Sequence, residues 1–578
     1  MPAAPPRGAD PSATGAANLP PEGALRWSLG PVGPAVEARL AAWSDGHAVG
    51  RIWRKDPTFW PQTPPADLAA GLGWLRAPEQ SAARIGELRA FAEAVHGDGI
   101  EHVVLLGMGG SSLAPEVLRS TFRPARDRPD LTVLDSTHPD AVRACARRAP
   151  IATTLFLVAS KSGTTLEPNA FFRFFWDRVS RRTSTPGRRF VAITDPGTPL
   201  ERLAAERQFR GCVAAPPDVG GRYAALTVFG LVPAALLGVE LEGLLASARS
   251  MVARCADPAE AGQNPGLRLG AALGELARAG RDKLVFLSSP SLRSFPAWLE
   301  QLVGESLGKQ GQGIVPVATS PPPSELPQGP DVGFVQLTLE GERDPALERA
   351  LAARESRGAP VLRLALGSPL DLGREFFRWE FAVAACASLL GVDPFDQPDV
   401  EQSKEMARRV MSRSAERTEV VASYGVRVGP GLGRPLEEWL ASAGPRDYLA
   451  VQAFLGPSDR TDRALGRLAS ELRRRLGVVV TVDYGPRFLH STGQMHKGGP
   501  ASGLYLQLVD EPGRDLEVPG LGLRFGEILR AQAEGDRGAL EGRRRRLLVV
   551  NVGADPLQGV RSLAALVAAR APARAAAP

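Results

Sequence analysis

The sequence has few cysteines and no cysteine pair. Its 578 residues contain only Cys145, Cys212, Cys255 and Cys386, and none of these stands in a C-x-x-C arrangement. This scarcity argues against both a disulfide framework and a zinc knuckle. The simplest setting for such a chain is the reducing cytoplasm.

The sequence also lacks a membrane-spanning segment and a secretion signal. Its longest uncharged apolar run, AALTVFGLVPAALLGV (224–239), is too short to cross a bilayer and contains Pro233. Residues 1–25 show no basic segment followed by an apolar core, and their proline, alanine and glycine content is typical of a disordered leader. We therefore expect a soluble protein with no membrane partner.

Neither positively nor negatively charged residues are in large excess. Lysine and arginine number 69 against 63 aspartate and glutamate residues, and the two signs are mixed along most of the chain. Arginine runs such as GRRRRL (542–547) are typical of solvated faces beside strands. The balance favours small anionic ligands and argues against nucleic acid as a partner.

What the chain does contain is a long alternation of strand-like and helical segments. From about residue 80, apolar runs such as HVVLLG (102–107), TLFLVAS (154–160) and KLVFLSS (283–289) alternate with segments of helical periodicity. Near-continuous apolar strands with helix-length connections indicate parallel sheets covered on both faces. We therefore predict an α/β protein with two doubly wound parallel-sheet domains.

Composition suggests where the domains meet. The stretch ADPAEAGQNPG (256–266) is rich in glycine and proline and is typical of a linker. Strand-like runs recur beyond about residue 430, for example YLAVQAF (448–454). The predicted organisation is a disordered leader, a first domain, a second domain and a C-terminal α/β portion, over residues 1–25, 26–250, 251–430 and 431–578.

Two loops between a strand and a helix are rich in small and hydroxyl-bearing residues. They are GMGGSS (107–112) and SKSGTT (160–165). Such loops direct backbone N–H groups and hydroxyls at one point, with the positive end of a helix behind them, which suits a phosphate. Helix capping explains the second loop equally well when it is taken alone. The first is also a partial dinucleotide fingerprint, but serines stand where its third glycine is expected.

Further motifs give these loops a context. GMGGSSL (107–113), SKSGTT, VGGRY (219–223), GESLGK (304–309) and FDQPDVEQSKE (395–405) follow one another along the chain. Together they resemble the phosphoglucose isomerase family, with a further match in TGQMH (492–496). The resemblance implies two sugar-isomerase (SIS) domains, each a three-layer αβα sandwich. It also implies a homodimer that interconverts glucose 6-phosphate and fructose 6-phosphate without metal or redox cofactor.

The resemblance assigns most of the binding residues to these motifs. The sugar phosphate would be held by side chains of the two loops, namely Ser111, Ser160, Lys161, Ser162 and Thr165. Gln301 and Gln397 would form hydrogen bonds to the sugar.

The resemblance also assigns the chemistry of proton transfer. Glu305 would remove a proton from one sugar carbon and return it to the next, which a carboxylate can do where water is excluded. Arg222 would stabilise the negative charge of the cis-enediol(ate), because a fixed guanidinium needs no reorganisation.

Ring opening requires an acid and a base, and the resemblance implies Lys404 and His496 for these roles. In the family the histidine motif precedes the lysine motif, whereas here it follows. This order resembles the isomerase portion of transaldolase and isomerase fusion proteins. His490 is the alternative histidine, and the histidine could act in its own or in the neighbouring subunit.

Two other functions fit part of the pattern. A non-catalytic phosphosugar sensor would keep the hydroxyl loops, but it has no use for Glu305, Arg222 and Lys404 together, and no helix-turn-helix is evident at either end. The isomerase part of an aminating hexose-phosphate synthase would need a glutaminase with an N-terminal cysteine, which MPAAPP does not provide.

Overall fold

The structure is a computed structural model that describes residues 25–122, 124–257, 261–318, 321–400 and 424–569. All but the last residue of the predicted leader, and Lys404, lie outside these ranges. Within them, no helix is both long enough and apolar enough to cross a membrane.

The strands of the described residues form three five-stranded sheets and one two-stranded ribbon. In chain order they are β1 (Leu25–Ser28), β2 (His102–Leu106), β3 (Asp130–Leu134), β4 (Thr154–Ala159), β5 (Phe190–Thr194), β6 (Gly211–Ala214), β7 (Lys283–Ser288), β8 (Val315–Val317), β9 (Val332–Leu339), β10 (Val361–Leu366), β11 (Val426–Arg427), β12 (Tyr448–Phe454), β13 (Val479–Tyr484), β14 (Gly503–Val509), β15 (Glu517–Val518), β16 (Leu523–Arg524) and β17 (Arg546–Asn551).

The α-helices of the same ranges lie mostly in the connections between strands. They are α1 (Gly33–Asp45), α2 (Ala48–Trp53), α3 (Pro65–Gly71), α4 (Ala77–Ala82), α5 (Ile85–Gly97), α6 (Leu113–Thr121), α7 (Pro139–Arg148), α8 (Leu166–Ser180), α9 (Pro199–Glu206), α10 (Val228–Leu236), α11 (Leu241–Ala256), α12 (Pro265–Arg278), α13 (Phe295–Leu307), α14 (Pro345–Glu355), α15 (Leu372–Leu390), α16 (Gly433–Ala441), α17 (Asp459–Leu476), α18 (Gly493–Gly498), α19 (Phe525–Gly542) and α20 (Pro556–Ala568).

The first sheet has the order β3-β2-β4-β5-β6, and all its strands are parallel. Its central strand β4 is buried along its whole length, as the run of apolar residues predicts. The chain passes from β2 to β3 on one side and then crosses to β4 on the other. The carboxyl ends of β2 and β4 therefore flank the switch point at which such sheets bind ligands, and both hydroxyl-rich loops start there.

The second sheet has the order β1-β10-β9-β7-β8. Strands β7 to β10 are parallel, and β1 pairs with β10 in the antiparallel direction. Residues 25–28 therefore pair with the second sheet, although the predicted first domain begins at residue 26. The physical reason is that β1 covers the edge of β10, whose backbone groups would otherwise be unpaired. The predicted α/β class with doubly wound parallel sheets is confirmed.

The third sheet has the order β11-β17-β14-β12-β13 and is also parallel. Helix α18, which follows β13, packs against α13 of the second sheet. The approach is close: a Cβ added to Gly308 would lie 2.6 Å from the Cα of Met495. This contact brings the segment around residue 490 to the helix that carries Glu305.

Candidate active site

Helix α13 carries the predicted base in a fully enclosed position. Both of its faces are packed, so Gln301 and Glu305 are buried although they are polar. The two residues are one turn apart, and Gln301 Nε2 donates a hydrogen bond to Glu305 Oε2 at 3.3 Å. Nη1 of Arg222 lies 3.4 Å from the same oxygen. The structure thus brings Arg222, from the motif VGGRY, next to Gln301 and Glu305 of helix α13.

Arg222 is held mainly by backbone carbonyls. Its Nη2 donates to the carbonyl oxygens of Pro394 at 2.6 Å and Asp396 at 2.8 Å, and its Nη1 donates to Gln397 Oε1 at 3.2 Å. These contacts fix the plane of the guanidinium, as a site that must stabilise developing charge requires. They also bring Gln397, the residue expected to form hydrogen bonds to the sugar, next to Arg222.

The first hydroxyl-rich loop touches the turn that carries Arg222. A Cβ added to Gly110 would lie 2.0 Å from the carbonyl oxygen of Gly221, so only glycine allows the two backbones to meet. Gly109 has φ +54°, and a Cβ there would lie 2.9 Å from Gln301 Nε2 and from the carbonyl oxygen of His490. The glycines of GMGGSS therefore allow the backbone of this loop to lie close to the neighbouring segments.

His490 lies in this cluster and is fixed by a carboxylate. Its carbonyl oxygen accepts a hydrogen bond from Gln301 Nε2 at 2.8 Å, and its Nε2 lies 2.9 Å from Glu167 Oε1. The same oxygen of Glu167 accepts from Gln532 Nε2 at 2.5 Å. Glu167 stands in the first turn of α8, directly after SKSGTT, and sequence reasoning missed it. The position of Glu167 next to the hydroxyl-rich loop was the signal available in the sequence. Its partner His490 is 323 residues away, so nothing in the sequence indicated their pairing.

His496, the histidine that the resemblance assigns to ring opening, contacts residues of the third sheet. Its side chain is 2% exposed, and its Nδ1 is 3.1 Å from Gln452 Nε2 of β12. The ring packs against Tyr448, Tyr505 and Phe488. Burial, with nearby positive charge, lowers its pKa well below the ordinary value. The motif TGQMH thus places His496 in the packing of the third sheet, because helix α18 turns this side chain away from α13 while Met495 faces it.

The second hydroxyl-rich loop presents its side chains at the carboxyl end of β4. Ser160 Oγ lies 3.0 Å from Thr165 Oγ1, and Ser162 Oγ lies 2.9 Å from Thr164 Oγ1. Ser162 is exposed, whereas Ser160 is buried. In the first loop, Ser111 is 8% exposed.

Lys161 differs from its neighbours in having charged and polar partners already. Its ammonium pairs with Asp195 and donates to the carbonyl oxygen of Pro217 at 3.1 Å. The ion pair neutralises a charge that was expected to face the phosphate. The hydroxyls and backbone N–H groups are therefore the groups of this loop that remain suited to an anion.

A second cation supports the turn beneath Arg222. Lys309, the last residue of GESLGK, is buried, and its Nζ lies 2.6 Å from Asp396 Oδ1 and 2.8 Å from the carbonyl oxygen of the same residue. Burial, and next the charge of Arg222, lowers the pKa of Lys309 to about 8. Lys309 and Arg222 both donate a hydrogen bond to the carbonyl oxygen of Asp396. Lys309 is therefore a supporting residue that sequence reasoning did not single out.

Comparisons with known proteins agree with this geometry. The family model of phosphoglucose isomerase matches residues 84–317. The glucose-6-phosphate isomerase of Symbiobacterium thermophilum is 30% identical over 385 residues, which cover 58% of this chain and 85% of that protein. The glucose-6-phosphate isomerase of Rubrobacter xylanophilus is 30% identical over 377 residues, covering 56% and 86% of the two chains.

Solved structures show the same fold. A hypothetical protein of Thermus thermophilus is 26% identical with a TM-score of 0.59, covering 67% of this chain and 100% of its own. A glucose-6-phosphate isomerase from Chlamydia trachomatis, 21% identical with a TM-score of 0.51, covers 68% and 81% and resembles this chain in fold. Given the relatives' extent and identity, this chain belongs to the phosphoglucose isomerase family.

Proposed function

We propose that this protein interconverts glucose 6-phosphate and fructose 6-phosphate by proton transfer between C1 and C2. The observation that carries the proposal is the buried contact between the Glu305 carboxylate and the Arg222 guanidinium, 3.4 Å apart. A carboxylate shielded from water can take up a proton from one carbon and return it to the next, with only partial exchange with solvent in between. A fixed cation beside it can stabilise the charge that forms meanwhile.

The proposed transfer starts from the open-chain aldose. Glu305 takes the proton from C2, the electrons of that C–H bond form the C1–C2 double bond, and the C1 carbonyl oxygen becomes the negatively charged oxygen of the cis-enediolate. Arg222 faces this oxygen. The proton on Glu305 then returns to C1, while the C2 hydroxyl passes its proton to the negatively charged oxygen on C1, so that C2 becomes the ketone and C1 carries a hydroxyl. Atoms and charge balance, and the carboxylate is regenerated.

Ring opening is assigned to His490. Its ring nitrogen is bonded to Glu167, which orients the imidazole as a carboxylate partner does in other acid–base sites. Its backbone is bonded to Gln301, one turn from the base. Lys404, the second predicted ring-opening residue, lies outside the described residues and remains part of the proposal.

The phosphate group is assigned to the two loops at the switch point of the first sheet. Their positions at the carboxyl ends of β2 and β4, and the hydroxyls of Ser160, Ser162 and Thr165, support this assignment. Gln397 and Gln301 would bond the sugar between the phosphate and the reacting carbons. A homodimer acting in the cytoplasm completes the proposal.

Deuterium exchange tests the proposal directly. Wild-type protein in D₂O should incorporate deuterium at C1 or C2 of the sugar phosphate while converting it, whereas Glu305→Gln should lose both exchange and turnover and keep phosphosugar binding. Glu438→Gln, which changes an exposed glutamate, is the matched control. Undiminished turnover in Glu305→Gln would remove this carboxylate from the mechanism.

A further inference from the structure

A groove on the outer side of the third sheet is lined by arginines. It lies between helices α17 and α20 and has a volume of about 270 Å³. Its charged lining consists of Arg460, Arg463, Arg467 and Arg561, with Asp555 as the one carboxylate among the described residues that line it. The groove is separate from the loops and side chains assigned to the isomerase reaction.

The helix geometry gathers these charges on one stripe. Arg460, Arg463 and Arg467 follow the spacing i, i+3, i+7, so they share one face of α17 and extend about 10 Å along its axis. All three are exposed. Leucines on the opposite face of α17, such as Leu465 and Leu468, pack in the core beneath the sheet. The three arginines therefore lie on the solvent-exposed face of α17.

These arginines are not neutralised by neighbours. Among the described residues, none of the four lies within ion-pair distance of a carboxylate, whereas Arg473 and Arg475 in the last turn of α17 pair with Glu325 and Glu437 at 3.0 and 2.9 Å. The carboxylate of Asp555 is already used, because it accepts a hydrogen bond from the backbone N–H of Gln558 at 3.0 Å.

This arrangement costs stability in the free protein. Like charges four residues apart, as in Arg463 and Arg467, destabilise a helix. Arg460 also places a cation in the first turn of α17, where the helix dipole favours anions such as Asp459 and Asp462 of the same turn. A bound polyanion would remove both penalties.

We propose that this groove binds a chain of linked phosphates, such as tripolyphosphate or the triphosphate of a nucleotide. Guanidinium groups match phosphate oxygens in pairs, and a row of them suits several phosphates in line. The described lining residues include no aromatic side chain on which bases could stack, which argues against single-stranded nucleic acid. The volume also excludes a duplex inside the groove.

Calorimetric titration with tripolyphosphate tests this site. The full-length protein is titrated in the presence of saturating fructose 6-phosphate, which occupies the proposed active site. Wild-type protein should bind about one equivalent, and Arg463→Gln with Arg467→Gln should weaken binding about tenfold or more, since hydrogen bonds to charged groups are lost. Isomerase activity should stay unchanged, and the thermal midpoint should not fall.

The control pair is Arg181→Gln with Arg434→Gln. Both are exposed arginines that pair with a carboxylate four residues away, so the change in net charge is the same. Equal weakening in both pairs, or no binding by wild-type protein, would overturn the proposal. Comparing tripolyphosphate with ATP identifies the preferred source of the phosphate chain. Tighter, arginine-dependent binding of a single-stranded oligonucleotide would replace the proposal with a nucleic-acid surface.

Discussion

Nη1 of Arg222 lies 3.4 Å from Oε2 of Glu305, and the two side chains are only 4% and 5% exposed. This distance exceeds the 2.7–2.9 Å or so of a strong charge-assisted hydrogen bond. The guanidinium is held more closely by the carbonyl oxygens of Pro394 and Asp396. Glu305 is therefore close to a positive charge without being locked to it, which suits a carboxylate that must accept and release a proton.

Replacing Arg222 by lysine should separate charge from geometry. Lysine keeps the positive charge, but one ammonium cannot reach Pro394, Asp396, Gln397 and Glu305 together. We expect kcat to fall about 10²- to 10³-fold, as when an oxyanion-stabilising donor is removed, with a smaller change in KM. Steady-state kinetics measure this. The exposed control Arg434→Lys should leave kcat unchanged. A wild-type kcat for Arg222→Lys would contradict the proposed role of Arg222 in stabilising charge.

The two histidines predict different phenotypes. His490→Asn should reduce turnover of glucose 6-phosphate about 10²- to 10⁴-fold, because an acid–base group is lost at the ring. His496→Asn should keep kcat but lower the free energy of unfolding by about 1–3 kcal/mol, because it disturbs a buried hydrogen bond to Gln452. Kinetics with denaturant unfolding distinguish them, and the reverse pattern would return the catalytic role to His496.

Glu167 should act through His490. Glu167→Gln is expected to lower kcat with little effect on KM, because the carboxylate contacts the imidazole. In the variant carrying both Glu167→Gln and His490→Asn, the loss should be no greater than in His490→Asn alone, since one interaction cannot be lost twice. Additive losses would show that Glu167 acts on its own.

The hydroxyl loop should govern affinity. Ser162→Ala with Thr165→Ala should weaken phosphosugar binding by about 2–4 kcal/mol, since hydrogen bonds to charged groups contribute about 1.5–3 kcal/mol each. Titration with substrate at equilibrium gives the affinity. Thr183→Ala with Thr185→Ala removes two hydroxyls from the turn after α8 and is the matched control. Unchanged affinity in the first pair would place the phosphate elsewhere.

Local sequence patterns were sufficient for the strands of the sheets and for the loop that follows β4. The buried run of β4 and the loop that follows it are contiguous, so the predicted strand and the hydroxyl cluster lie where the pattern put them. What local patterns could not supply is pairing across long separations. Strand β1 pairs with β10, and His490 pairs with Glu167, although the members of each pair are far apart in the sequence.

His496 shows the limit of motif matching. TGQMH matches in letters, but helix α18 directs Met495 toward α13 and His496 toward β12, and a short motif carries no information about which face of a helix meets a neighbour. His490 lies six residues earlier, outside the motif, and its backbone is the part bonded to Gln301.

A buried pair of carboxyl groups beside the site should make stability depend on pH. Glu300, the neighbour of Gln301 on α13, lies beside Asp483 of β13. Burial, and next the charge of Asp483, raises the pKa of Glu300 well above its ordinary value, and burial raises the pKa of Asp483 to about 6. Arg487 is the nearby cation, and its Nε lies 3.3 Å from Asp135 Oδ2.

The sign of the dependence follows from these shifts. The folded protein keeps protons on this pair that the unfolded chain releases above about pH 4, so the pair stabilises the fold below that pH. The part of this contribution that comes from Asp483 is lost as pH rises through about 6, and the part from Glu300 is lost as pH rises further through its raised pKa. Glu300→Gln keeps a hydrogen-bond donor toward Asp483 and removes one of the two acids. We expect the fall in unfolding free energy between pH 4 and 6 to shrink by about 1–3 kcal/mol. Urea unfolding at several pH values measures it, with Glu438→Gln as the control. A slope unchanged from wild type would mean that another group carries the dependence, because an amide at residue 300 cannot share a proton with Asp483.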